Sequence, residues 1–153
     1  MTLFFALLVG FFAGLRALTP PAVVAWATYL GWLKLARTLS HISSLPVVII
    51  LSLLAIFELI VDKLPKTPNR TAPPGLIARI VTGGFTGACI ALGGGESAYV
   101  GAALGVIGGI VGCFGGYQVR ARLVRSLRVR DFYVALVEDL VAIGGSLFIV
   151  SRF

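Results

Sequence analysis

Apolar residues recur from one end of this chain to the other, in stretches long enough to cross a bilayer, with short polar segments between them. The first stretch, Leu3 to Trp32, is interrupted by Arg16 and by Thr19-Pro20-Pro21. Proline removes amide donors and restrains the residue before it, so this element is predicted to be kinked or broken near its middle. Unbroken, it would be about 45 Å long at 1.5 Å per residue, more than a hydrocarbon core of about 30 Å. It must tilt, project beyond the membrane, or split, and a re-entrant form would put the N-terminus on the other side.

After the basic pair Lys34 and Arg37 and a polar connection at Ser40 to Ser44, a second span is predicted from Pro46 to Leu64. The proline-rich segment Pro65 to Gly75 reads as a polar loop. A third span, Leu76 to Leu92, ends at the flexible turn Gly93-Gly94-Gly95-Glu96. The fourth, Ala98 to Tyr117, runs on into Gln118 to Arg130, and the fifth covers Phe132 to Val150. The pattern predicts an all-α, polytopic integral membrane protein of about five transmembrane helices, with residues 1–153 as a single transmembrane domain.

Composition agrees with the pattern. With 58% hydrophobic and 12% charged residues and a mean hydropathy of +1.01, the chain has too few polar groups to solvate a globular surface. Leu3 to Ala13 is short and apolar like a signal peptide, but it lacks a basic n-region, and Arg16, Pro20 and Pro21 follow where small cleavage-site residues are expected.

The net charge of +7 would suggest nucleic acid in a soluble protein; here most basic residues lie in two connecting segments and act as topology signals. Lys63, Lys66, Arg70 and Arg79 lie in or at the edges of the loop after the second span, and Arg120, Arg122, Arg125, Arg128 and Arg130 after the fourth. Both segments are predicted to be cytoplasmic, with the N-terminus on their side and the C-terminus outside. The five arginines have no interleaved aromatics for base stacking, which argues against nucleic acid, and their position suits anionic lipid head groups as partners.

In the fourth span Gly101, Gly105, Gly108, Gly112 and Gly115 recur at spacings of three or four, placing them on one helical face, and Gly83, Gly84 and Gly87 do something similar in the third. Small residues let backbones approach closely in lipid. The face is read either as tight packing, including association into a homo-oligomer, or as a pore or moving interface. Val9 to Gly14 resembles Val111 to Gly116, as an inverted repeat of oppositely running spans would require. No GxxxxGK[ST] is present, so the glycines do not read as a nucleotide site.

The charges inside or at the edge of the apolar stretches carry the candidate chemistry: Arg16, Glu58, Asp62, Glu138 and Asp139. A charge in the bilayer costs from about 2.5 kcal/mol upward, so such groups are paired, hydrated or put to use. Glu58 and Asp62 are one helical turn apart, and Glu58 and Glu138 lie at similar depth, about 9 Å, from one side. The two glutamates could meet in one cavity and hold a proton or cation, or each could be neutralised by Arg16, Arg79 or another basic residue. Asp62, closer to the span's end, is expected to be neutralised by a basic residue as a structural ion pair. Arg16 beside a helix break could bind an anion or serve as counter-ion.

No cofactor is implied. Cys89 and Cys113 sit in apolar runs without metal or redox spacing and read as buried thiols, and His41, the only histidine, leaves no catalytic triad or zinc set to assemble.

Gly14-Leu15-Arg16-Ala17-Leu18-Thr19-Pro20, Glu58 with Asp62-Lys63-Leu64-Pro65, Arg70-Thr71-Ala72-Pro73-Pro74-Gly75 and Arg79 together resemble the small bacterial membrane proteins catalogued as domain of unknown function 4126. The resemblance spans nearly the entire chain. It implies a bacterial inner-membrane location and a multi-helix fold, and supplies no catalytic residues. The expectation for function is a transporter or channel-like protein moving a small solute, ion or lipid around a buried carboxylate and arginine centre. A non-catalytic oligomeric scaffold is the alternative; a lipid-modifying enzyme has no complete motif to support it.

Overall fold

The computed structural model describes residues 1–35, 41–63, 71–128 and 130–153. Their regular structure is helical throughout: α1 (Thr2–Leu15), α2 (Thr19–Tyr29), α3 (Leu45–Val61), α4 (Pro73–Gly93), α5 (Ala98–Leu127) and α6 (Asp131–Val150). Three of these, α4, α5 and α6, are long and apolar enough to cross a membrane, while α1 and α3 are apolar but shorter.

The first apolar stretch forms two helices. Arg16 takes an extended conformation at φ −138° and ψ 112°, ending α1, and Pro20 and Pro21 occupy the first turn of α2. Proline is harmless there, because the amides of a first turn have no partner within the helix. The residues that forbid one long helix therefore permit a second to start.

The two helices also reverse direction. The Thr2 side chain lies against Gly94, and Leu33, just beyond α2, lies against Gly93, so α1 and α2 leave from and return to the same end of the molecule. At 1.5 Å per residue they are about 21 and 17 Å long, each short of a hydrocarbon core. They form a hairpin with its vertex at Arg16 to Leu18. The N-terminus lies with the α4–α5 turn and the C-terminus, where Phe5 meets Phe153 edge-on at 6.2 Å, at the opposite end of α5 from its arginines, whereas the sequence placed it with them.

Glycine determines how the interior packs. A methyl group at Gly105 would run into the backbone oxygen of Gly83, one at Gly101 into the Gly87 oxygen and the Ala91 side chain, one at Gly108 into the Leu7 oxygen and one at Gly112 into the Phe11 oxygen. From the other side, Gly10 and Gly14 of α1 abut Gly105 and Gly109. Helices α1, α4 and α5 thus pack backbone to backbone, and these glycines contact helices of their own chain. Gly115, expected on the same face, faces open space.

Gly10 meets Gly105 and Gly14 meets Gly109, so α1 and α5 run parallel. The likeness between Val9–Gly14 and Val111–Gly116 is therefore not an inverted repeat. It reflects glycine-rich packing surfaces on neighbouring helices.

Around this trio, α6 lays Gly145 on the ring of Phe12 and shares a core with α1, α2 and α4 formed by Phe5, Val9, Val24, Ile90 and Ile149. Helix α3 packs on α2, antiparallel to it, and Trp26 Nε1 donates to Ser52 Oγ at 2.9 Å. The loop expected over Pro65 to Gly75 lies partly outside the described residues. Its described end enters α4 already at Pro73, with proline again in the first turn.

Candidate functional site

The hairpin vertex exposes two helix ends inside the protein, and each needs an electrostatic partner. The C-terminal end of α1 carries carbonyl oxygens with partial negative charge, and the start of α2 carries free amides with partial positive charge. Arg79 of α4 answers the first: its Nε donates to the Gly14 carbonyl at 3.0 Å, and its Nη1 to the Gly75 carbonyl at 3.0 Å. Glu58 of α3 answers the second. Its two oxygens accept hydrogen bonds from the backbone N–H groups of Ala17 at 2.7 Å and Leu18 at 2.8 Å. Consecutive amides of this kind form an anion-binding concavity.

Arg16 itself is fully buried, with 0% of its side chain exposed. Its Nη1 donates to Asp62 Oδ2, and its Nη2 lies 2.5 Å from Asp139 Oδ1. The other Asp139 oxygen accepts from Lys63 Nζ at 2.6 Å, and Lys63 also donates to the Leu59 carbonyl at 3.0 Å. Arg79 Nη2 stands 3.9 Å from Asp62 Oδ2 and 4.0 Å from Glu58 Oε1. Three cations (Arg16, Lys63, Arg79) thus face three carboxylates (Glu58, Asp62, Asp139) in one connected group.

The pairing differs in two respects from the sequence expectation. Glu138 does not meet Glu58; it lies 3.4 Å from Arg120 Nη1, and Arg120 also holds Asp131 through Nε at 2.7 Å. Adjacent helical residues point about 100° apart, so when Asp139 turns toward the vertex Glu138 turns toward α5. Asp62 is ion-paired as expected, but deeper in the group than its place near the span's end suggested: it sits between Arg16 and Arg79, because one turn beyond Glu58 on the same face of α3 is the level of the vertex.

Arg79, a candidate counter-ion from the sequence, belongs to the centre, and so does Lys63, which the sequence pointed to only as a topology signal. The four arginines beyond Arg120, at 122, 125, 128 and 130, are exposed at the basic end.

Two further features adjoin the vertex. Beneath it, between α2, α3 and α4, lies an apolar crevice of about 300 Å³ whose walls include Leu18, Pro21, Leu51, Val81 and Phe85. Leu18 belongs to both places, since its amide holds Glu58 and its side chain lines the crevice. Buried polar atoms also remain without a hydrogen-bond partner among the described residues: Arg16 Nε, Thr19 Oγ1 in the first turn of α2, and Ser146 Oγ on α6. Among the described residues, no group of three or more histidine, cysteine, aspartate or glutamate side chains is placed to hold a metal ion.

In comparison with known proteins, the family model described as Domain of unknown function (DUF4126) matches residues 3–151. No curated protein and no solved structure matches the chain.

Proposed function

The chain belongs to the DUF4126 family, and from the geometry of its charged centre we propose that it is a small membrane transporter, moving a small solute or ion past the vertex of the α1–α2 hairpin. The observation that carries this reading is the broken element itself, with each inner helix end matched by an opposite charge from a different helix. Discontinuous helices serve transporters in this way, presenting half-helix ends to a ligand at membrane depth. A protein that needed only to fill the bilayer would gain nothing from carrying six ionisable groups there.

In the proposed orientation the end bearing Lys63 and the arginine segment faces the cytoplasm of a bacterial inner membrane, with both termini outside. The exposed arginines then lie at the level of anionic head groups. The centre is most accessible at Asp62 and Lys63, each with 19% of the side chain exposed, which supports access from the end of α3 that the proposed orientation turns inward. Helix α3 is the element suited to move, since it packs on α2 and is otherwise fastened through Glu58, Asp62 and Lys63.

One observation favours the alternative of a non-catalytic scaffold: the charges balance, so the centre could serve purely as a lock between helices. Flux separates the two readings. Proteoliposomes containing purified protein and the pH dye pyranine should respond to inward gradients of sodium, chloride, acetate or phosphate faster than protein-free vesicles, and Asp62→Asn should abolish the difference. Identical traces from protein-containing and empty vesicles under all four gradients would overturn transport and leave the scaffold.

A further inference from the structure

The geometry points to a carboxylate-binding seat at the start of α2, filled by Glu58 in the closed form and by a small carboxylate solute with an apolar tail when Glu58 takes up a proton and withdraws. The inference deepens the transport reading and rests on it for its purpose, though not for its test.

The seat is shaped for a carboxylate. Two successive backbone amides, Ala17 and Leu18, each reach a different oxygen of one carboxyl group, at 2.7 and 2.8 Å. Among the described residues, its present occupant is the carboxylate least bound to a cation: Asp62 and Asp139 are contacted directly by the Arg16 guanidinium, whereas the nearest described cation to Glu58 is Arg79 at 4.0 Å. Glu58 is therefore the member that can be neutralised with least loss of ion pairing.

The seat also has unused capacity. Thr19 is 4% exposed and its hydroxyl, one residue beyond Leu18, has no partner among the described residues; neither has Nε of the fully buried Arg16. Both belong to residues that flank the two amides directly in sequence, and are assigned to a ligand that approaches differently from a side chain anchored on α3. The tail has a place as well, because Leu18 also lines the crevice of about 300 Å³, which presents no polar surface, the hydroxyl of its one threonine, Thr82, donating to the Ala78 carbonyl.

Charge balance requires the proton. Around Glu58 stand Arg79 from α4, Asp62 and Lys63 from α3, Arg16 from the vertex and Asp139 from α6; Arg120 of α5 pairs with Glu138 and Asp131 and reaches the centre only through the field it shares with Asp62. Among the described residues three cations face three carboxylates, and adding an anion to that set would leave a buried negative charge, a costly state. Transfer of one proton from the aqueous phase to the Glu58 carboxylate, giving a neutral acid, restores the balance. One proton and one carboxylate then enter together, with no net charge moved.

The full-length protein in nanodiscs tests this at equilibrium, with sodium acetate and sodium hexanoate as probes. Both should raise the unfolding temperature saturably at pH 5.5, hexanoate binding at least about tenfold more tightly through its buried methylenes. Above the titration of Glu58 the apparent affinity should fall about tenfold per pH unit, with one proton taken up per carboxylate. Glu58→Gln should bind at pH 8 without proton uptake, and Thr19→Val should weaken binding several-fold while leaving the unliganded unfolding temperature near that of wild type. If Glu58→Gln does not fold, the wild-type pH series and Thr19→Val decide alone. Absence of saturable binding between pH 5 and 8, or binding with no pH dependence in the wild type, would overturn the seat. Binding without flux in vesicles would instead remove transport and keep the seat.

Discussion

Arg79 Nε donates a 3.0 Å hydrogen bond to the carbonyl oxygen of Gly14, so a side chain from α4 closes the open end of α1 from 65 residues away. The same guanidinium reaches toward Glu58 and Asp62, which join α3 to the vertex. Removing it leaves an unsatisfied carbonyl and two carboxylates short of a cation. Arg79→Ala is expected to cost about 3–5 kcal/mol, as for other broken buried pairs. Arg79→Lys should recover only part, because an ammonium cannot span the separate acceptors a guanidinium fork reaches. Reversible unfolding in mixed micelles checks both variants; an Arg79→Ala protein as stable as wild type would remove this residue from the centre.

Coupling between Arg16 and the acidic residues follows the observed partners. Arg16→Gln and Asp139→Asn are expected to be non-additive, the double variant recovering part of the stability lost by Arg16→Gln alone, because the second change removes a carboxylate left unpaired by the first. Arg16→Gln with Glu138→Gln should be additive, since Glu138 is held by Arg120 on the α5 side. Recovery with Glu138→Gln and none with Asp139→Asn would reverse the assignment.

That contrast marks the limit of what the sequence discloses. Break-forming residues were visible in Thr19-Pro20-Pro21, because proline's lost amide is a local property. The reversal of direction at the break was not, since it depends on Thr2 reaching Gly94 and Leu33 reaching Gly93, contacts between segments far apart in sequence. Similarly, the intramembrane charges could be identified one by one from hydropathy. Choosing Asp139 over Glu138 required the rotation of α6, which its packing on Phe12 and Phe5 fixes. Arg79 was legible as a counter-ion for the buried carboxylates, but not its second role as the partner of the Gly14 carbonyl, which depends on where α1 ends.

The glycine contacts predict sharply position-dependent effects. Gly105→Ala would force a methyl against the backbone oxygen of Gly83, which cannot move aside as a flexible side chain could, so it should destabilise the α4–α5 contact and lower the unfolding temperature. Gly115→Ala enters open space within the same helix and should be neutral, or stabilising by up to about 1 kcal/mol through helix propensity. Equal effects at the two positions in a micelle unfolding assay would contradict the close packing of α4 and α5.

The hairpin predicts a topology that a single crossing by the first apolar stretch cannot produce. If α1 and α2 return to one end, residues 2 and 151 lie on the same side and residue 125 on the other. In a background where the buried Cys89 and Cys113 are replaced by alanine or left unreactive, Thr2→Cys and Ser151→Cys should both react with an impermeant maleimide added outside intact cells. Arg125→Cys should react only after the membrane is opened. A first stretch that crossed once would put residue 2 with residue 125 instead, so protection of Thr2→Cys alongside Arg125→Cys would sink the hairpin. It would also sink the charged vertex, which exists only because the chain turns back at Arg16.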